Sequence, residues 1–344
     1  MDWLSKLEDG AHLSRHEAET VMEELLSGRM EMPDIVRFLL ALNLRPVTAH
    51  ELSGFASIMR KHAAPVFPPG DPRPGNMVDT CGTGGDSSGT FNISTAAAIV
   101  AAAAGARVAK HGNRSVSSLS GSADVLEALG VCIDLPLLQA GRSIREVGIG
   151  FLFAPVAHSA TRHAVPARKH IGKRTVFNFL GPLTNPAGAE TQVLGVFSGD
   201  VLTLVAETLA ELGITRALVL HGAGGLDEIS LSGETQIAEI RGRTIAYFTL
   251  APSDFGMETA PFEALRGGTP QENAALIRRV LQGEPGPPRD IVVMNAAAAL
   301  VVTGIANSFL AGSQLADRAI SSGAAFAKLQ QLVQFSNAHK PSEH

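Results

Sequence analysis

The sequence predicts an α/β fold, a small N-terminal helical lobe followed by a larger α/β domain with a mostly parallel sheet flanked by helices. Three observations lead there. Residues 1–64 carry helical periodicity and no strand pattern, residues 65–74 are crowded with prolines, and beyond residue 76 strand runs alternate with glycine loops and helical stretches. That alternation marks a parallel sheet, because each return to the same strand end needs a crossover.

The elements follow in order. In residues 14–26, Ala18, Val21, Met22, Leu25 and Leu26 recur at helical spacing while Glu17, Glu19, Glu23 and Glu24 fill other positions. Pro33 starts a second helix through Leu42, and Thr48 caps a third through Lys61. Pro65, Pro68, Pro69, Pro72 and Pro74 exclude regular structure and read as a stiff linker. Residues 76–80 form a strand, residues 95–104 an alanine helix closed by Gly105, and residues 107–110 the next strand. Strand 193–197, helix 201–212 and strand 217–220 repeat the pattern. Residues 290–302 read as a late helix, although their Ile-Val-Val start leaves a strand open, and the polar tail is expected to fray from Asn337. The expected division is 1–64 (joined by part of 165–186), linker 65–75, and domain 76–344.

Bulk properties narrow the function. A chain of 344 residues can bury a sizeable core without disulfide or metal staples. Its two cysteines, Cys81 and Cys132, are no disulfide framework, so a cytoplasmic setting is expected. No signal peptide is read at the N-terminus, and the longest apolar stretch, residues 96–104, is too short to span a bilayer. A net charge of −5 gives no overall attraction for nucleic acid or anionic membrane, so any phosphate must be held by local design.

The richest segment is the glycine loop of residues 82–95, which leaves a predicted strand and enters a predicted helix. Glycines let the backbone approach an anion and aim successive N–H groups into one concavity, and a helix N-terminus adds oriented donors. Thr90, Asn92, Ser94 and Thr95 add polar side chains. Neither the P-loop nor the GxGxxG pattern fits, and taken alone a plain glycine turn accounts for the segment equally well. The second segment, residues 110–122, leaves the next strand with Lys110, Arg114 and several hydroxyls. Consecutive parallel strands end on one sheet edge, so the two loops should face one cleft.

Charge is distributed unevenly elsewhere. Residues 147–189 hold no acid, yet contain Arg162, Arg168, Lys169, Lys173 and Arg174. Most of these suit a solvated face or subunit contact, while an arginine fork can reach a substrate carboxylate. Asp227 and Glu228 follow strand 217–220 on a glycine-rich loop. Adjacent acids are common on surfaces, but this pair sits at the expected ligand edge, where magnesium needs only one or two carboxylates beside phosphates.

These motifs together resemble the anthranilate phosphoribosyltransferase family. The GTGGD…NIST run is residues 82–95, KHGNRSVSS…SGS is 110–122, FLFAP is 151–155, the NxLGPLxNP segment is 178–186, the DE-I-S loop is 227–230 and GGTPxEN is 267–273. Ser87 and Leu119 depart from the residues common in the family. The resemblance implies a homodimer with the fold of pyrimidine nucleoside phosphorylases, a magnesium (Mg2+) requirement, and the substrates anthranilate and phosphoribosyl pyrophosphate (PRPP). Residue by residue, it places Gly82, Gly85, Asp86, Thr90, Asn92, Ile93, Ser94, Thr95, Lys110, His111, Gly112, Asn113, Arg114, Ser115, Val116, Ser117, Ser118 and Ser122 on PRPP. It places Gly82, Asn113 and Arg168 on anthranilate, and Ser94, Asp227 and Glu228 on magnesium. No covalent nucleophile is expected, since the neutral aromatic amine can attack C1 of the ribose directly. His111 is a candidate acceptor for the late amine proton. The alternatives are a pyrimidine nucleoside phosphorylase of the same fold, a non-enzymatic nucleic-acid-binding relative and a catalytically silent structural protein. Long phosphate motifs and a net charge of −5 weigh against them.

Overall fold

The computed structural model describes residues 2–84, 88–115 and 119–341. Four helices open it: α1 (Asp2–Glu8), α2 (Arg15–Leu26), α3 (Met32–Asn43) and α4 (Ala49–Lys61). Ser14 and Thr48 cap α2 and α4 through reciprocal boxes with Glu17 and Glu51, satisfying backbone groups that a helix start leaves open. The following stretch is irregular, as its prolines demand. It is not merely a tether: Val66 and Phe67 are buried in the larger core, and Asp71 pairs with Arg145 at 2.9 Å.

The remaining elements run β1 (Met77–Gly82), α5 (Ile93–Ala103), β2 (Arg107–Gly112), α6 (Ser122–Ala128), α7 (Leu137–Glu146) and β3 (Ile149–Phe153). Then come α8 (Ala154–Ala157), α9 (Val165–Ile171), α10 (Phe177–Leu183), β4 (Thr191–Gly195), α11 (Leu202–Glu211) and β5 (Arg216–Gly222). Strands β6 (Thr235–Arg241) and β7 (Thr244–Leu250) form a hairpin, and four helices finish the chain: α12 (Pro270–Leu281), α13 (Pro287–Val302), α14 (Phe309–Ser321) and α15 (Ala324–Ala338). The sheet order is β3-β2-β1-β4-β5-β6-β7, parallel from β3 to β5 and antiparallel at the hairpin. The expected α/β class and mostly parallel sheet are what the fold contains.

Successive residues of β5 divide between two cores, as the pleat requires. Leu218 and Leu220 join the core shared with α5, α13 and the C-terminal helices. Ala217 and Val219 join a second core with α11, the helical lobe, and Ala167, Val176 and Leu180 of the segment around α9 and α10. Residues 290–302 are helical; every residue from Ile291 to Val302 in α13 is buried. The tail departs from expectation at Asn337, which lies within α15 and donates to the Gly130 carbonyl at 2.8 Å. That side-chain bond ties down a turn that composition alone marks as free.

Candidate active site

The direction in which the sheet is wound reverses between the parallel neighbours β1 and β4. From β1 the chain winds outward to β2 and β3, then returns to β4 and winds the other way. The carboxyl ends of β1 and β4 therefore form a switch point, where open α/β sheets leave a crevice. Four neighbouring strands end there in glycine: Gly112, Gly82, Gly195 and Gly222. Each has something seated where a side chain would be. A Cβ would lie 2.2 Å from Ser122 Oγ at Gly112, 2.2 Å from Asp227 Oδ2 at Gly82, 1.5 Å from the Asp227 carbonyl oxygen at Gly195 and 2.4 Å from the Glu228 carbonyl oxygen at Gly222. The bare strand ends let the acid loop lie flat across the sheet edge.

The glycine loop starts at that edge. Thr83 N–H donates to the Gly195 carbonyl at 2.9 Å, and Gly84 N–H donates to Asp227 Oδ2 at 3.0 Å. Gly85 and Asp86 lie outside the described residues. Thr90 pairs with Arg266 in an isolated bridge, and its hydroxyl meets that of Ser88 at 3.1 Å. Asn92 precedes α5 but does not cap it; its carboxamide reaches Ser120 and Asn273 instead. Ile93 and Thr95 are buried, so Ile93 offers a ligand only backbone, while the Thr95 hydroxyl has no partner among the described residues. Ser94 opens into the cleft shared with Asp227 and Glu228.

The second loop is anchored by α6. Asp124 accepts from Ser115 N–H and from Gly121 N–H, both at 2.9 Å, which fixes the two sides of the loop. Arg114 turns its guanidinium to Asp124 and Glu127, at 2.9 and 3.0 Å, so it braces the loop here rather than pointing into the cleft. The Asn113 carbonyl accepts from Ala123 N–H at 3.1 Å and Ser122 Oγ at 3.3 Å. Val116, Ser117 and Ser118 lie outside the described residues. Beneath the loops Lys110 is buried, its ammonium donating to the Thr80 carbonyl at 2.7 Å. Burial lowers its pKa, while Asp79, Cys81, Glu228 and Asp227 oppose that shift.

His111 is walled in. Its ring packs edge-on to His158 at 5.1 Å, Nε2 has no hydrogen-bond partner among the described residues, and burial, reinforced by His158, drives its pKa down to about 3. A base that weak, removed from solvent, is a poor acceptor for an amine proton. Asp79, which sequence reasoning missed, lies fully buried on β1 and accepts from His111 N–H at 3.2 Å; burial raises its pKa to about 6. Asn295 on α13 was also missed. It accepts from Ile229 N–H and donates to the Ile229 carbonyl, both at 3.0 Å, and so fixes the acid loop.

Ser94, Asp227 and Glu228 line one small cleft with Thr80, Cys81 and Asn295. Two carboxylates and a hydroxyl are hard oxygen donors, suited to magnesium when phosphates and waters supply the remaining ligands. Arg168 stands on α9, half-buried, its guanidinium 5.1 Å from the Phe177 ring, and burial lowers its pKa. Among the described residues no ion pair within 4 Å engages Arg162, Arg168, Lys169 or Lys173, so these four keep their positive charge available to an anion. The structure thus brings the two loops and the acid pair to one edge, with Arg168 held separately on the helical side.

The glycosyl transferase family helical bundle domain matches residues 1–63, and the glycosyl transferase family a/b domain matches residues 74–326. An anthranilate phosphoribosyltransferase of Nitrosospira multiformis is 48% identical over 344 residues, covering 99% of this chain and 97% of the relative. One from Pelotomaculum thermopropionicum is 50% identical over 332 residues, covering 96% and 95%. The solved structure of the Thermus thermophilus anthranilate phosphoribosyltransferase gives a TM-score of 0.92 at 46% identity, covering 98% of this chain and all (100%) of the other. The Saccharomyces cerevisiae structure in complex with PRPP and Mg gives 0.87 at 27% identity, covering 98% and 97%.

Proposed function

The chain belongs to the glycosyl transferase family as an anthranilate phosphoribosyltransferase, and from that premise we propose which of its residues carry the reaction. The enzyme transfers the 5-phosphoribosyl group of PRPP to the amine of anthranilate and releases pyrophosphate, a step of tryptophan biosynthesis. The supporting observation is the meeting of the glycine loop, the α6-anchored loop and the acid loop at the switch point.

In this reading PRPP lies along the sheet edge, held by Gly82, Gly85, Asp86, Thr90, the residues from Asn92 to Thr95, those from Lys110 to Ser118, and Ser122. Ser94, Asp227 and Glu228 would hold magnesium, which would supply positive charge beside the pyrophosphate leaving group. Glycine-loop N–H groups and the α5 N-terminus stabilise the same developing charge. Arg168 grips the anthranilate carboxylate, and Asn113 with Gly82 orients the ring, replacing a bimolecular encounter by a held geometry. Within the run from Lys110 to Ser118, Arg114 offers PRPP its backbone, while its guanidinium keeps the second loop in place through its ion pairs. No side chain attacks the sugar, and His111 is given no proton.

The division into 1–64 (with part of 165–186), 65–75 and 76–344 is retained in this proposal. We also assign a cytoplasmic setting and a homodimer. Among the described residues no helix is long and apolar enough to cross a membrane. Met32 and Leu40 on α3 and Leu44 just beyond it are exposed at 44, 44 and 82%, an apolar stripe that a second copy would cover. Light scattering should give twice the chain mass, and Leu40→Lys with Leu44→Lys should give monomers; a monomeric parent protein would refute the dimer. The activity test is loss of anthranilate fluorescence on adding PRPP and magnesium. An unchanged signal with pure folded protein would overturn the assignment.

A further inference from the structure

The GGTPxEN segment, residues 267–273, matches the family yet has no part in the mechanism above. Structurally it brackets the end of the glycine loop. Gly267 N–H donates to the Gly89 carbonyl at 2.8 Å, and Phe91 N–H donates to the Leu265 carbonyl at 3.2 Å. A Cβ on Gly267 would sit 2.6 Å from the Phe91 nitrogen, so the two segments touch backbone to backbone.

Asn273, in the first turns of α12, is 2% exposed and bonded on both sides. Its Oδ1 accepts from Gly268 N–H at 2.8 Å, and its Nδ2 donates to Asn92 Oδ1 at 3.0 Å. The same Asn92 oxygen accepts from Ser120 Oγ at 3.1 Å, while Asn92 Nδ2 donates to the Ser120 carbonyl at 3.0 Å. One carboxamide therefore joins α12, the glycine loop and the second loop. Without the Asn273 donor, the Asn92–Ser120 pair would remain bonded to itself but lose its tie to α12.

We propose that Asn273 is a positioning residue for PRPP, fixing through Asn92 the spacing between the glycine loop and the α6-anchored loop. The inference rests on the reading that these two loops hold PRPP. A buried amide that orients a ligand-holding group is worth far more than its own bond when small displacements of the reacting geometry are penalised steeply.

Steady-state kinetics with each substrate varied in turn, alongside thermal unfolding, test this. Asn273→Asp keeps an acceptor for Gly268 N–H but removes the donor to Asn92; Asn273→Ala removes both. Each should raise the KM for PRPP roughly tenfold and leave that for anthranilate essentially unchanged. If Asn273→Asp binds PRPP normally while Asn273→Ala does not, the Gly268 turn alone matters and the proposal falls. Should Asn273→Asp fail to fold, the pair Asn273→Ala and Ser120→Ala decides, because both donors converge on one oxygen. A combined effect on the PRPP KM smaller than the product of the single effects supports the proposal, and independent multiplication overturns it. Thr90→Val separates the two levels. A raised PRPP KM there, with normal Asn273 variants, removes only the positioning role; normal values throughout remove the loop assignment as well.

Discussion

Gly195→Ala is the sharpest test of the site's architecture. Its Cβ would fall 1.5 Å from the Asp227 carbonyl oxygen, 2.2 Å from the carbonyl carbon and 2.8 Å from Cα. Ordinary contact begins near 3.4 Å, so the Asp227 backbone must recede by about 1.9 Å (3.4 minus 1.5) or β4 must move. Moving β4 would disturb ladders on both sides, because Gly195 is in register with Gly82 on β1 and Leu220 on β5. Moving the loop would strain the Asn295 anchor at Ile229. Either route costs about 1–3 kcal/mol of stability, as overpacking does. It also displaces the acid pair from Ser94, and a misplacement on the order of 1 Å costs about a hundredfold in rate. Initial rates from anthranilate fluorescence, paired with thermal melts, measure both effects. Gly75→Ala serves as the control, since no atom lies within 4 Å of its added Cβ. A Gly195→Ala enzyme with parental turnover would refute the packing argument.

Arg168→Ala should raise the anthranilate KM about 10- to 100-fold, the loss of a charge-assisted bond, with a small effect on PRPP; an unchanged anthranilate KM would remove Arg168 from that role. Asp227→Ala with Glu228→Ala should abolish magnesium-dependent turnover while the protein still melts cooperatively, and full activity would reduce the pair to surface residues. Stability should fall on acidification from pH 6 to 4. The folded-state pKa values of His111 and His158 are pushed down to about 3 and 4, chiefly by burial, so below pH 6.5 the unfolded chain takes up two protons that the fold refuses. Asp79, raised to about 6 by burial, acts oppositely, its folded form taking up one proton. The net of one proton from these three groups gives a decline of about 1 kcal/mol per pH unit, which the lowered pKa values of Glu17, Glu23, Glu51 and Asp124 steepen near pH 4; urea unfolding measures it, and a flat profile would contradict the burial of the two rings.

The sheet's central strands were legible because each is a short apolar run leading to glycine. The expected strands at 76–80, 107–110, 193–197 and 217–220 correspond to β1, β2, β4 and β5 with shifts of one or two residues. Strand β3 was not read because five apolar or glycine residues, buried throughout, carry no alternation that separates strand from helix. The hairpin of β6 and β7 turns at Gly242, whose φ of +61 favours glycine, yet its exposed outer strand gives little pattern. Of the site, the loops and the acid pair stood out through composition. The residues that hold them did not: Asn295, Asn273 and Asp124 meet their partners 66, 181 and 9 residues away, and a lone buried amide or acid leaves no local trace. Arg114 was legible as a basic residue, but its pairing with Asp124 and Glu127 of α6 was not, because those acids lie 10 and 13 residues away.

The proline-rich stretch has a practical consequence for chimeras. Because Val66 and Phe67 are part of the larger core, with Arg145 stacked on Phe67 at 5.1 Å and a Cβ on Gly141 meeting the Val66 oxygen, this stretch is cargo of the α7 surface rather than a free hinge. A helical bundle transplanted from a relative should therefore be joined before residue 65, or brought together with the α7 face that receives it.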